Sequence, residues 1–311
     1  MGYYPHFTDI FLSYYPILGA VDVVDGPPVA PVENFTLHPR LDEDITLHPR
    51  LDEDITTSYP MTSHPRGWCF IINNIQFTTL NDRHGSEKDA TVLQKLFTSL
   101  GYRIWLVNNV TTYDLRERLS ELVNKPDHGD CLVICILSHG SSGQIYGVGG
   151  QLIPVAEILD TLYDEPLRTK LNRKPKLFLI QACRDSKPKE PSNIVEHVDT
   201  SQIISEPKSP TDEKNTDSAH HSFIEESKIQ AYTDLVLAYS TFPGEISWRH
   251  TSNGSFFIDS VNEIFSKYSS SEDVLSMLVK VNALISSKLS KLGIEQIPAP
   301  VFTLTTKMFL K

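Results

Sequence analysis

Three stretches of this chain are apolar at almost every position: 68–75 around Cys69-Phe70-Ile71-Ile72, 131–137, and the run Leu177-Phe178-Leu179-Ile180 that Pro175 leads in. Continuous runs of that length predict strands buried on both faces, as in a parallel sheet. Between them the period changes to that of a helix. At 86–100 the residues Ala90, Leu93, Leu96, Phe97 and Leu100 recur at helical spacing, with Ser86 as the expected N-cap, Asp89 in the capping-box region and Gly101 as the stop. A strand at 102–107 and a helix at 112–123, carrying Leu115, Leu119 and Leu122 on one face, follow. A Gly-rich hairpin is expected around 143–150 and a helix at 154–163, with proline tolerated in its first turn. After the 177–180 run, a strand at 234–240, helices at 256–268 and 272–289, and a final strand at 300–310 complete the series. Strands alternating with helices over short links predict an α/β fold with a mostly parallel sheet covered on both faces.

Polarity returns abruptly at two strand ends. The 131–137 run passes into Ser138-His139-Gly140, and the strand led in by Pro175 passes into Gln181-Ala182-Cys183-Arg184. Open α/β sheets bind ligands beyond the carboxyl ends of their strands. If these strands are parallel neighbours, His139 and Cys183 meet at one edge as base and nucleophile. Either residue alone is more often an ordinary core thiol or a satisfied polar group. Two of them, each the first polar chemistry after a buried strand, argue for a pair.

The regular pattern breaks twice. Residues 1–65 are Pro-rich and acidic, open on an aromatic segment, and repeat the decapeptide of 36–45 at 46–55; a disordered leader is expected, too short for a helical recruitment bundle of ~80 residues or more. Residues 185–228 are rich in Ser, Thr, Pro and charge, with few apolar positions, and read as a long processing linker.

Composition narrows the class of partner. A net charge of −11 over 311 residues argues against nucleic-acid binding, and ten Asp/Glu against two Arg in the leader account for most of it. Four scattered cysteines make no disulfide framework, and no metal-ligand cluster accompanies them, so neither a metal nor another cofactor is expected. No window approaches a membrane span and no basic n-region opens the chain, so a cytoplasmic protein with no membrane partner is expected.

Gln181-Ala182-Cys183-Arg184, with a His-Gly pair 44 residues upstream of the cysteine, resembles the signature of caspases, cysteine proteases that cut after aspartate. The resemblance runs from about Arg66 to Lys311. It implies the caspase-like sandwich, with an antiparallel edge strand at the interface of a homodimer. It also implies a zymogen acting in apoptosis: a 66–199 large subunit, a 200–228 intersubunit linker with processing beginning near 185, and a 229–311 small subunit. Cys183 would be nucleophile and His139 general base and acid, with the N–H groups of Gly140 and Cys183 facing the oxyanion. A glycine at 140 would allow close approach of substrate backbone. Arg83, Gln181 and Arg249 match the aspartate pocket, a paired guanidinium fork suiting a carboxylate. Ser247, Trp248 and Ile246 would line the neighbouring subsites, Trp248 as a wall. Processing is implied after Asp25, Asp199 and Asp217. Partners would be protein substrates carrying aspartate, upstream caspases and caspase inhibitors.

Three positions depart from the family pattern: Asp185 stands where glycine is usual, Ile246 where executioner members carry an aromatic, and Phe256 where tryptophan is common. They leave one alternative, a weak or inactive homologue that regulates true caspases. Metacaspases and legumain, which share the His-Gly and Ala-Cys pairing, fit less well, because arginines in the pocket oppose cleavage after basic residues and no signal peptide is present.

Overall fold

In the computed structural model, residues 57–184, 203–205 and 232–311 are described. Six strands form the central sheet: β1 (Gly67–Asn73), β2 (Arg103–Asn108), β3 (Cys131–Leu137), β7 (Lys176–Gln181), β9 (Leu235–Tyr239) and β12 (Ala299–Phe302). Their order is β12-β9-β7-β3-β1-β2, parallel throughout except for β12, which runs antiparallel to β9 at the edge. Two small antiparallel sheets flank it. One joins β4 (Gly140–Ser141), β5 (Gln144–Tyr146) and β6 (Leu152–Pro154); the other joins β8 (Ile203–Ser205), β10 (Trp248–His250) and β11 (Gly254–Ser255).

The apolar runs feed two cores because successive residues of a strand face opposite sides. Cys69, Ile71, Val133, Cys135, Leu177, Leu179, Val236 and Ala238 enter one core; Phe70, Ile72, Leu132, Ile134, Phe178, Ile180, Leu235 and Leu237 enter the other. The first core is covered by α1 (Ser86–Ser99), α5 (Phe256–Tyr268) and α6 (Val274–Ser290). The second is covered by α2 (Thr112–Leu122), α3 (Val155–Tyr163) and the short α4 (Leu167–Lys170). Since β2 and β3 lie on opposite sides of β1, the sheet changes winding direction between β1 and β3. That switch point sets the carboxyl ends of β1, β3 and β7 side by side, the usual place for a ligand in such a sheet.

Helix ends correct some expectations. Gly85, at φ +90°, is the N-cap of α1; Ser86 caps nothing and Asp89 completes no capping box. The α1 C-terminus is a Schellman turn, in which Tyr102 N–H reaches Phe97 O at 2.9 Å and Gly101 N–H reaches Thr98 O at 3.0 Å, with Gly101 at φ +86°. A reciprocal capping box does occur at α2, between Thr111 and Asp114, a start signal that apolar spacing alone passes over.

Both chain boundaries also shift. The compact unit includes 57–65, which the sequence assigns to the leader. Tyr59 is buried there; its hydroxyl donates to Asp234 Oδ1 at 2.6 Å and accepts from Thr305 N at 3.0 Å. The last strand ends at Phe302 rather than 310. The Thr303 hydroxyl accepts from Leu235 N at 3.2 Å in place of a ladder carbonyl, and the chain then turns to bury Met308 and Leu310 in the first core. Within the expected linker, 203–205 form β8.

Candidate active site

β3 and β7 are hydrogen-bonded parallel neighbours with Leu137 opposite Gln181, and Ser138 N–H continues the pairing to Gln181 O at 3.2 Å. His139 and Cys183 therefore leave the sheet at the same level, two residues past matched positions. Both are buried. His139 Nε2 lies 2.8 Å from the Asn81 carbonyl oxygen, which can only accept, so this nitrogen carries the proton and Nδ1 of the neutral ring is the basic one. Phe77 packs against the ring at 4.6 Å between centroids.

Gly140 is required by close packing within the fold. A Cβ there would lie 2.8 Å from Cys183 O, 2.9 Å from Ala182 Cβ and 2.9 Å from Gln144 O. The backbone after the histidine thus touches the backbone of the nucleophile. Ser142 (φ +43°) and Gly143 (φ +80°) then turn β4 into β5 as a two-residue hairpin of the type right-twisted strands favour.

The 242–249 segment closes over the cysteine. Arg184 N–H donates to Glu245 O at 3.1 Å, Gly244 N–H donates to Arg184 O at 3.0 Å, and Ser247 N–H points at Cys183 Sγ at 3.4 Å. A charge-assisted hydrogen bond to sulfur is stronger when the acceptor is a thiolate. Gln181 Nε2 donates to Ser247 Oγ at 2.7 Å, locking the residue two before the cysteine to the start of β10. The Arg184 guanidinium sits 4.0 Å from the Tyr239 ring centroid, a cation–π contact that anchors the loop beyond the nucleophile. Trp248 and Ile246 are partly exposed, while Ser247 is buried. Phe256 opens α5 and packs on the first core.

Arg83 and Arg249 are both fully buried, which is costly for charged groups unless the surroundings compensate. The Arg83 guanidinium donates through Nη1 to Asn74 O at 3.1 Å and to Ser86 Oγ at 2.8 Å, and Ser86 Oγ in turn donates to Asn73 Oδ1 at 2.5 Å. Arg249 lies on β10 opposite Ser255 of β11. Gly85, two residues after Arg83, lets the start of α1 approach the end of β10: a Cβ there would lie 2.6 Å from His250 O and from Thr251 O. Asp89 of α1 is buried as well, within electrostatic reach of both arginines. Its Oδ1 accepts from Ser255 N at 2.8 Å, and burial pushes its carboxyl up to about 7 against the opposing pull of that hydrogen bond and of both arginines.

Arg83, His139, Gln181, Cys183, Ser247 and Arg249 thus share one end of the sheet. Asp25, Asp185, Asp199 and Asp217 lie outside the described residues. Sequence reasoning missed Asn73, Asn74, Asn81, Asp89 and Gln296. Asn74 is the clasp at the end of β1: its side chain donates to Ser138 Oγ at 3.2 Å and Tyr146 O at 3.0 Å and accepts from Val110 N at 2.9 Å. Its signal was available, since Asn73-Asn74 is the first polar pair after an apolar run, the same mark that singled out His139 and Cys183. Gln296 bridges Trp248 N at 2.8 Å and Ser240 O at 2.8 Å, and had no such signal.

Comparison with known proteins places the chain in a family. The family model of the Peptidase C14 caspase domain matches residues 66–309, and the chain belongs to the caspase family. Caspase-10 of Homo sapiens is 37% identical over 207 residues, covering 65% of this chain and 36% of that protein. Caspase-2 of Gallus gallus is 30% identical over 276 residues, 86% of this chain and 60% of that protein. Caspase-3 of Mus musculus is 32% identical over 266 residues, 81% of this chain and 87% of that protein. The chain therefore spans 36% and 60% of the length of the first two.

Proposed function

We propose that this chain is a cysteine endopeptidase that cleaves after aspartate, made as a zymogen, activated by cuts at its own aspartates and acting in apoptosis. The observation that carries the reading is the meeting of Cys183 and His139 at one sheet edge with two fully buried arginines beside them. His139 Nδ1 takes the thiol proton as Cys183 Sγ attacks the scissile carbonyl carbon. The backbone N–H groups of Gly140 and Cys183 hold the oxygen on which negative charge develops. His139 then delivers its proton to the departing amine, leaving an acyl-thioester. Water, deprotonated by His139, hydrolyses the thioester and returns the thiol. Arg83, Arg249 and Gln181 bind the aspartate carboxylate, a charge that neither guanidinium loses at working pH. Trp248 and Ile246 meet the residues preceding it.

Cuts after Asp199 and Asp217 would separate large and small chains, and a cut after Asp25 would shed the leader. A homodimer across β12 is supported by Phe302, which leaves 52% of its surface exposed on an edge strand, and by Ile297 nearby at 58%. Upstream caspases and caspase inhibitors are the further partners. Buried Cys69, Cys131, Cys135 and Cys183, none of them in a disulfide, suit a reducing, cytoplasmic setting.

Intact mass of the purified chain beside Cys183→Ala tests the reading. The parent is expected to split into chains ending at Asp199 or Asp217 while the variant stays whole. A parent that stays whole, and that hydrolyses no aspartyl peptide after its linker is cut by an active caspase, overturns it.

A further inference from the structure

β1 runs out into two asparagines, and the second has a partner for every polar group it carries. Asn74 N–H donates to Leu137 O at 2.9 Å, carrying the β1–β3 pairing one residue past the match of Asn73 with Leu137. Its carbonyl accepts from Arg83 Nη1 at 3.1 Å, and the next carbonyl, of Ile75, accepts from Arg83 N at 2.8 Å. In the side chain, Oδ1 accepts from Val110 N at 2.9 Å, while Nδ2 donates to Tyr146 O at 3.0 Å and to Ser138 Oγ at 3.2 Å. The amide can face only one way, because the Val110 N–H can only donate and the Tyr146 carbonyl can only accept. Ser138 extends these contacts to the histidine. Its hydroxyl donates to Tyr146 O at 2.6 Å, and Tyr146 N–H returns to His139 O at 2.9 Å. Asn74 and Ser138 are 2% and 0% exposed, so bulk water does not replace a lost partner.

One residue therefore bears on two parts of the candidate site. The main chain of Asn74 holds the guanidinium of Arg83, and its side chain holds the residue before His139. We propose that Asn74 is a positioning residue that sets the distance between Arg83 and His139, and with it the preference for aspartate over glutamate before the cut; the proposal rests on the protease reading above. Aspartate and glutamate carry the same charge and differ by one methylene. Attraction to an arginine does not tell them apart, so the spacing between the group that holds the carboxylate and the group that serves the scissile bond must. Asparagine suits that task. Aspartate at the same place would have no N–H for Ser138 Oγ or Tyr146 O, and would set a buried charge against that carbonyl.

The test compares the linker-cut parent with Asn74→Asp, Ser138→Ala and the double variant on two peptide substrates that differ only in presenting Asp or Glu before the cut. Small misplacements at a reacting centre are costly, so each single variant is expected to lower kcat/KM for the aspartyl peptide by about ten- to a hundredfold. The ratio of kcat/KM for Asp over Glu is expected to fall by about tenfold, the order of discrimination that one methylene carries. Both changes break the same link, so the ratio in the double variant should fall no further than in the lower of the two single variants. Equal losses on both peptides, leaving the ratio at its parent value, overturn the proposal. Losses of ratio that multiply in the double variant also overturn it, because the two residues would then act separately. Ser138→Ala removes a single oxygen and keeps the comparison available should Asn74→Asp fail to fold. The protease reading fails separately, through a parent inert toward both peptides. Positioning is then read from solvent exchange of the His139 Nε2 proton in the Cys183→Ala chain carrying isotope-labelled histidine. Faster exchange with Ser138→Ala upholds the link to His139, and an unchanged rate overturns it.

Discussion

Replacing Asp89 with asparagine is expected to stabilise this protein at alkaline pH and leave it nearly unchanged in acid. The carboxyl is enclosed between α1 and β11, its Oδ1 accepting from Ser255 N at 2.8 Å, and among the described residues its Oδ2 has no hydrogen-bond partner. Burial dominates and pushes the group from 3.8 to about 7, although the Ser255 hydrogen bond, Arg83 and Arg249 all pull the other way. The folded state therefore holds this proton more tightly than the unfolded chain does. Stabilisation from the protonated form is complete below about pH 4 and is lost as pH rises to about 7. At ~1.4 kcal/mol for each unit, the loss has a ceiling of about 4 kcal/mol. Asparagine keeps an oxygen for the Ser255 N–H and cannot ionise.

Urea denaturation of the Cys183→Ala chain, with and without Asp89→Asn, at pH 5 and pH 8 measures this. The stability difference in favour of asparagine is expected to grow by roughly 2–3 kcal/mol between the two conditions. His128, whose basicity burial lowers, is present in both chains and cancels. On the proposed function, removing a negative charge within electrostatic reach of Arg83 and Arg249 is expected to lower KM for an aspartyl peptide at pH 8 and to flatten its pH dependence. A stability difference that does not vary with pH refutes the reasoning. A variant that loses ground as pH rises refutes it more sharply, because the carboxylate would then be a net stabilising partner of Arg83 and Arg249.

Gly140→Ala is expected to lower kcat by about a hundredfold, because the new Cβ would press on the carbonyl of Cys183 and displace it; a variant within twofold of the parent in single-turnover assays counts against that packing. Gln296→Ala removes the acceptor for Trp248 N and is expected to raise KM for tetrapeptides several-fold with kcat little changed, whereas an unchanged KM would show that Gln296 does not position β10. Phe302→Asp places a charge on the exposed end of β12 and is expected to convert dimer to monomer in sedimentation at micromolar concentration; a variant that stays dimeric locates the interface elsewhere.

The central sheet was legible because β1, β3, β7 and β9 are buried on both faces, and burial on both sides leaves no polar position to obscure an apolar run. His139 and Cys183 were legible for the complementary reason: each is the first functional polarity after such a run. What escaped the sequence depends on partners distant along the chain. Asp89 resembles a helix-capping residue until Ser255, 166 positions away, is seen to donate to it. The 300–310 stretch is apolar again at the chain's end, yet Met308 and Leu310 are buried by leaving the sheet rather than extending it. Ser86 matched an N-cap by residue type, but its hydroxyl is used by Arg83 and Asn73.

The same architecture explains how a chain cut between 184 and 232 can keep its site. β7 and β9 lie on opposite sides of that interval, yet they are hydrogen-bonded neighbours from Lys176–Leu235 to Ile180–Tyr239 at the centre of the sheet. Both cores draw residues from both sides: Leu93 and Phe97 of α1 pack with Phe257 and Phe265 of α5, and Phe178 packs with Leu237. The candidate site is divided in the same way, with Arg83, Gln181 and Cys183 before the interval and Ser247 and Arg249 after it. Breaking the backbone there removes no strand pair of the central sheet and no core contact of these residues. What it changes is the tether on β8, the one described segment of the interval, which pairs with the strand carrying Arg249. The sheet thereby holds the two halves together, and keeps Arg249 on the same side of the fold as Cys183, whether or not the interval is intact.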